Sequence, residues 1–176
     1  MYSIVQLIVD AIATILGGVL LLRFWMQAIR VRPPSSIGQF IYALSDWMVL
    51  PMRRVIPGVG GYDWASLVGA FLVVALATSV ILFFGASFEM VAIMALYTFL
   101  TWIIYGFIGS LFIEVILSWV NPHAPMAPFV QALNYPLLRP LRKVVPPIGG
   151  MDLSVMVAMI LLKIVHILVQ MLFGLR

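Results

Sequence analysis

Charge-free apolar runs dominate the chain and fix its first elements. No Asp, Glu, Lys or Arg interrupts the 25 residues from Trp64 to Phe88 or the 24 from Met90 to Ile113. About 20 apolar residues in a helix cross the hydrocarbon core of a bilayer, so each run predicts a membrane span. Two further spans are predicted at the ends. Ile4–Ala28 is interrupted by Gln6, Asp10, Thr14, Arg23 and Gln27, and Leu153–Phe173 carries Lys163, His166 and Gln170. The N-terminal segment has neither a basic leader nor a small-residue cleavage site, and it is read as an uncleaved first span.

Between spans the polar residues return with a helical period. In the first long loop Phe40, Ile41, Leu44, Trp47 and Met48 share a face, with Gln39, Ser45 and Asp46 opposite. In the second, Met126, Phe129, Val130, Leu133 and Leu137 do so, with Gln131 and Asn134 opposite. Both segments are too short to span and suit amphipathic helices lying in the membrane plane. Pro51 and Pro136 are expected to limit them, because proline lacks the N–H and clashes with the preceding turn.

The two loops also share a phrase. Over Pro51–Asp63 against Pro140–Asp152, seven of thirteen positions are identical, and the same ungapped offset pairs Pro33 with Pro122 and Phe40 with Phe129. The chain reads as an internal duplication. Residues 1–84 form the first repeat, 85–89 a short turn, and 90–176 the second repeat. In each phrase a basic pair sits at headgroup level and a proline stops the helix. The Gly60-Gly61 or Gly149-Gly150 pair permits a tight reversal, and Asp63 or Asp152 is placed to cap the next span. The predicted class is all-α: four transmembrane helices as two parallel repeats, each with an in-plane helix and a re-entry turn.

Composition agrees, at 64% apolar and 9% charged with net charge +4. The loop between spans one and two holds Arg30, Arg32, Arg53 and Arg54, and the loop between spans three and four holds Arg139, Arg142 and Lys143. The positive-inside rule puts both long loops in the cytoplasm and both termini outside, in an inner membrane. Excess basic charge at this level points to anionic lipid, with no direct nucleic-acid contact expected. With no cysteine, thiolate metal sites and disulfides are excluded.

Polar groups at membrane depth are candidates for function. Lys163, His166 and Gln170 share a helix face, and Glu114 lies near the basic end of span three. Their leanings converge, which predicts a Glu114–Lys163 ion pair, with Arg23 at a depth from which it could compete or join. Interhelical glue is the favoured role; an ion or osmolyte path between the repeats is the alternative. The order GVGGYD does not match the potassium filter's Gly-Tyr-Gly, and Met151 replaces Tyr62 in the second copy. Neither a phosphate loop nor a hydrolase signature occurs, so neither enzyme activity nor a cofactor or metal is expected. Ala13/Gly17 and Ala65/Gly69 have the small-residue spacing that lets helices approach closely, between halves or between subunits of a homo-oligomer.

LLLRFWMQ (Leu20–Gln27), Ser118-Trp119, and PLLRPLRKVVPPIGG (Pro136–Gly150) followed by Asp152 and Ser154 resemble the YggT family, called YlmG in some lineages. The resemblance covers essentially the whole chain. Val155 stands where many members have proline. The resemblance implies roles in osmotic or salt tolerance, cell division or chromosome distribution. For plastid relatives it implies nucleoid distribution and haem attachment to cytochrome b6. Such roles fit an accessory or assembly factor with a membrane-protein partner. Arg53, Arg142, Gly60, Gly61, Gly149, Gly150, Asp63 and Asp152 match the shared phrase and are expected to form the working surface, flanked by Arg54, Arg139 and Lys143.

Overall fold

The computed structural model describes residues 2–146 and 152–174. Among the described residues six α-helices follow in order: α1 Tyr2–Ala28, α2 Ser35–Val55, α3 Trp64–Ser79, α4 Phe88–Val120, α5 Ala127–Leu141 and α6 Leu153–Leu172. A 3₁₀ turn, Val80–Phe84, extends α3 and closes at Gly85, whose φ of 87° suits glycine. Ser87 then opens α4 by accepting a hydrogen bond from the Met90 amide, with Glu89 against the positive end of the helix dipole. Four helices, α1, α3 with its extension, α4 and α6, are long and apolar enough to cross a membrane. Their outward faces carry large apolar side chains such as Ile4, Leu7, Ile12, Leu76, Ile160 and Leu168, all exposed. In water such a surface would be a liability; in lipid it is the expected boundary.

Three clusters hold the helices together. Ala13, Leu20, Val49, Ala65, Ala70 and Val73 join α1, α2 and α3, with Phe99 and Trp102 of α4 packed against them. Met26, Ile41, Phe129, Val130 and Leu133 join the end of α1 to α2 and α5, and Leu111, Leu138, Val155 and Ala158 join α4, α5 and α6. The middle cluster crosses between the halves. Trp25 reinforces it, donating from Nε1 to the Leu133 carbonyl at 3.0 Å and standing edge-on to Phe107. Hence α2 and α5 lie at the same end of the bundle, the end that carries the basic residues.

The small-residue spacings matter where helices touch. A Cβ on Gly17 would run into the Trp102 ring, and one on Gly69 would lie 3.5–3.7 Å from Met52, Met48 and Leu20.

The prolines do not end the short helices. α2 continues through Pro51 to Val55, and α5 continues through Pro136 and Pro140 to Leu141. An interior proline costs roughly 3 kcal/mol. Here Val49 and Met52 on one side, and Leu133 and Leu138 on the other, are packed on the core, and that burial outweighs the cost.

The faces of these helices also differ from the periodicity reading. Gly38, Ile41, Ser45 and Val49 of α2 point inward, whereas Phe40, Leu50 and Trp47 (66% exposed) point outward. In α5 Phe129, Val130 and Leu133 of the predicted face are buried in the protein, Met126 of that face is exposed, and Asn134 from the opposite face is buried. Ser45 and Asn134 turn inward because buried charges from α1 and α4 require partners there.

Candidate functional site

Two polar clusters sit at the basic end, one in each half. In the first, Arg23 is 4% exposed, and its Nη1 donates to Ser45 Oγ at 2.6 Å and to Asp46 Oδ1 at 2.7 Å. Ser45 in turn donates to the Ile41 carbonyl one turn earlier, so it presents a lone pair to the guanidinium. Asp63, 2% exposed, accepts from Arg53 Nη2 at 2.6 Å and Nε at 3.2 Å, and from Ser66 Oγ at 2.6 Å. Arg23 Nε lies 3.6 Å from Asp63 Oδ2, close enough for attraction but too far for a hydrogen bond.

Burial alone would push the Asp63 carboxyl up. The hydrogen bonds from Arg53 and Ser66, with the charges of Arg53 and Arg23, prevail and hold it below the usual carboxylate range. The Asp63 hydrogen bond correspondingly raises the Arg53 guanidinium. The expected side-chain cap at Asp63 is therefore not made: its oxygens go to arginine and serine, and its backbone carbonyl takes the Ser66 and Leu67 amides.

In the second cluster Glu114, 7% exposed, accepts from Asn134 Nδ2 at 2.7 Å and Arg142 Nη2 at 3.2 Å. Asn134 also donates to the Ser110 carbonyl and accepts from Ser110 Oγ, so a fully buried amide uses both ends. Arg142 Nε donates to Asp152 Oδ2 at 2.7 Å, and Asp152 Oδ1 caps α6 through the Ser154 amide at 3.0 Å. Burial pushes Asp152 up less than Arg142 and Ser154 pull it down, and it also stays below the usual range.

The predicted Glu114–Lys163 pair does not form. Glu114 is taken by Asn134 and Arg142, because Arg142 at the end of α5 reaches the same end of the bundle. Lys163 is exposed and donates to Tyr105 Oη at 3.2 Å. His166 is buried edge-on to the same Tyr105 ring, 5.0 Å between centroids, and Gln170 approaches Tyr97 Oη at 3.5 Å. The Lys163, His166 and Gln170 face thus meets α4 through tyrosines and not through Glu114. Nor does Arg23 join Glu114; its acids are Asp46 and Asp63.

Of the shared phrase, Arg53, Asp63, Arg142 and Asp152 are paired with each other. Gly60 and Gly61 take φ of 68° and 84° in a turn that bridges Val59 and Tyr62. Gly149 and Gly150 lie outside the described residues. Arg54, Arg139 and Lys143 stand exposed beside the pairs. Sequence reasoning missed Ser45, Asp46, Ser66, Ser110 and Asn134. A signal was available, since Ser45 and Asn134 fall at matching positions of the two halves.

The profile of the CCB3/YggT family matches residues 1–84 and 93–173. An uncharacterized protein of Pseudomonas aeruginosa is 35% identical over 158 residues, covering 86% of this chain and 80% of its own length. An uncharacterized protein of Vibrio alginolyticus is 31% identical over 169 residues, 89% of this chain and 88% of its own. The uncharacterized YggT of Escherichia coli K12 is 33% identical over 150 residues, 84% of this chain and 79% of its own. No solved structure matches. With the profile spanning nearly the whole chain and relatives above 30% identity, the chain belongs to the CCB3/YggT family.

Proposed function

We propose that the protein is a non-catalytic accessory factor of the cytoplasmic membrane, a scaffold or assembly factor whose basic end meets anionic lipid and a membrane-protein partner. We read the two halves as parallel repeats with both long loops in the cytoplasm and both termini outside. One observation carries the reading. In each half the arginine and aspartate of the shared phrase are bound to one another, Arg53 with Asp63 and Arg142 with Asp152. Arg54, Arg139 and Lys143 remain exposed at the basic end, Arg54 on α2, whose Phe40, Trp47 and Leu50 also face outward. A basic rim next to an apolar, aromatic face is what an interfacial helix presents to headgroups and acyl chains. The implied roles in osmotic tolerance, division or complex biogenesis fit a surface that gathers partners.

The test neutralises Arg54, Arg139 and Lys143 together and recovers the tagged protein from its own membrane in mild detergent. Loss of co-purifying membrane protein at unchanged melting temperature is expected. Full recovery of the same partners by the variant would remove the basis for a scaffold.

A transport pathway draws on one feature, a cleft of about 740 Å³ at the end opposite the basic loops, lined in part by Gln6, Asp10, Thr14, Thr78 and Thr98. Below it, the contact of Gly17 with Trp102 and the fully buried Leu20 form an apolar plug ahead of Arg23. Reconstituted protein with no ion flux, and Glu114→Gln behaving as wild type, would eliminate this second reading.

A further inference from the structure

The first half carries more positive charge than its fold uses. A cleft of about 540 Å³ opens at the end of α1, lined by Arg23, Arg30, Arg32, Arg53, Gln27 and Tyr42. Four arginines line it, and the carboxylates that pair with this set, through Arg23 and Arg53, are Asp46 and Asp63. Two positive charges are left over. The negative end of the α1 dipole, worth about half a charge, does not cancel them. Among the described residues the Arg30 and Arg32 guanidinium groups make no ion pair. Arg23 Nε, inside the protein, has no hydrogen-bond partner either.

Two features separate this cluster from ordinary loop charge. The first is backbone. At the end of α1 the Arg30 amide bonds the Gln27 carbonyl and the Val31 amide bonds the Met26 carbonyl, the closing pattern in which glycine normally takes the left-handed position. Arg30 occupies that position, at φ 58°. A strained backbone in place of an easy glycine indicates that the side chain is what is needed there. Its Nη2 lies 3.9 Å from where a Cβ on Gly61 would be, so the guanidinium rests over the Gly60-Gly61 turn.

The second is the other half of the chain. The pair Arg142–Asp152 stands at the positions matching Arg53–Asp63, but Phe112, Trp119 and Asn121 stand where Arg23, Arg30 and Arg32 do. The matching Arg142–Asp152 pair forms without three of the four arginines.

We infer that this cleft binds the phosphate headgroup of a membrane lipid, and that a phosphomonoester headgroup, with its near-double negative charge, fits it best. A phosphomonoester carries roughly −1.5 to −2 at neutral pH and offers three acceptor oxygens, which match the charge excess and the forked donors of arginine. The source is lipid because the cleft lies at the end of a span. Beside it Phe24, Tyr62 and Trp64 gather with ring centroids 6.1–6.3 Å apart, the type of aromatic group that marks headgroup level. The inference rests on the membrane placement proposed above but not on the partner-binding role of Arg54, Arg139 and Lys143.

The experiment is native mass spectrometry of the full chain in detergent. It is titrated separately with phosphatidic acid, phosphatidylglycerol, phosphatidylcholine and inorganic phosphate. Wild type is compared with the Arg30→Gly/Arg32→Gln double variant and with Arg32→Gln alone. Wild type should retain phosphatidic acid most tightly. The double variant should weaken it by about thirtyfold, and Arg32→Gln by about fivefold. Melting temperature should stay level or rise in the double variant, because glycine relieves the left-handed position. Unchanged lipid retention in the double variant overturns the site. Equal affinity for inorganic phosphate overturns the lipid source, and equal retention of phosphatidylglycerol overturns the preference for a double charge. Failure of the partner-recovery test leaves these outcomes unaffected, so the two readings fail separately.

Discussion

Asp63 and Asp152 occupy matching positions and both pair with an arginine, yet their surroundings differ, and so should the cost of removing them. Asp63 is 2% exposed and sits between Arg53 and the buried Arg23. Asp63→Ala strips Arg53 of its ion-pair partner and leaves Arg23 with Asp46 and Ser45. Breaking a buried pair from one side costs about 3–5 kcal/mol. Arg53 is 39% exposed and can recover water, so the lower end, about 3 kcal/mol, applies. At Asp152 both partners are open, with side chains 38% and 37% exposed. An exposed pair contributes about 0–1 kcal/mol. The lost cap on the Ser154 amide adds about 1 kcal/mol, for a total near 1–2 kcal/mol. The difference of about 1–2 kcal/mol, at roughly 2–4 °C per kcal/mol for a chain of this length, should make Asp63→Ala melt about 2–8 °C below Asp152→Ala. Differential scanning fluorimetry of the two variants in one detergent reads this directly. Equal losses, or a larger one at Asp152, would refute the contrast between a buried pair at Asp63 and an open one at Asp152.

Three further outcomes follow from the clusters. A double-mutant cycle of Glu114→Gln with Lys163→Gln should be additive within about 0.5 kcal/mol, whereas Glu114→Gln with Arg142→Gln should couple by about 0.5–3 kcal/mol, measured by unfolding in mixed micelles. Asn134→Ala should cost about 2–4 kcal/mol in the same assay, since it removes a buried amide that serves Glu114 and both polar groups of Ser110. Because Asp63 and Asp152 have depressed folded-state pKa values, their stabilisation is complete above the unfolded carboxylate pKa of about 3.9 and is lost as pH falls through the folded values. The gap in melting temperature between wild type and Asp63→Asn should therefore narrow only below about pH 4; a gap that closes near pH 6 would mean that other groups control it.

The spans were legible because a bilayer imposes one requirement, length without charge, that any window reveals. Trp64–Phe88 and Met90–Ile113 needed no tertiary information. The faces of α2 and α5 were not, because periodicity assumes that polar residues seek water. Here the water side competes with Arg23 and Glu114, and a buried charge pulls Ser45 and Asn134 inward more strongly than solvent draws them out. For the same reason Glu114 could not be paired from depth alone. Depth placed Lys163 within reach, but the Arg142 that takes Glu114 comes from α5, whose continuation past Pro136 and Pro140 local propensity argues against.

Single-cysteine labelling tests the membrane architecture most directly, since the chain has no cysteine of its own. Arg54→Cys, Lys143→Cys and Glu89→Cys place one thiol each at the first basic rim, the second basic rim and the opposite turn. A membrane-impermeant maleimide applied to intact cells should label only Glu89→Cys, and applied to inverted vesicles should label only the other two. Labelling of Arg54→Cys and Lys143→Cys from opposite faces would contradict the proposed parallel arrangement of the two halves and the proposed shared basic surface built on it.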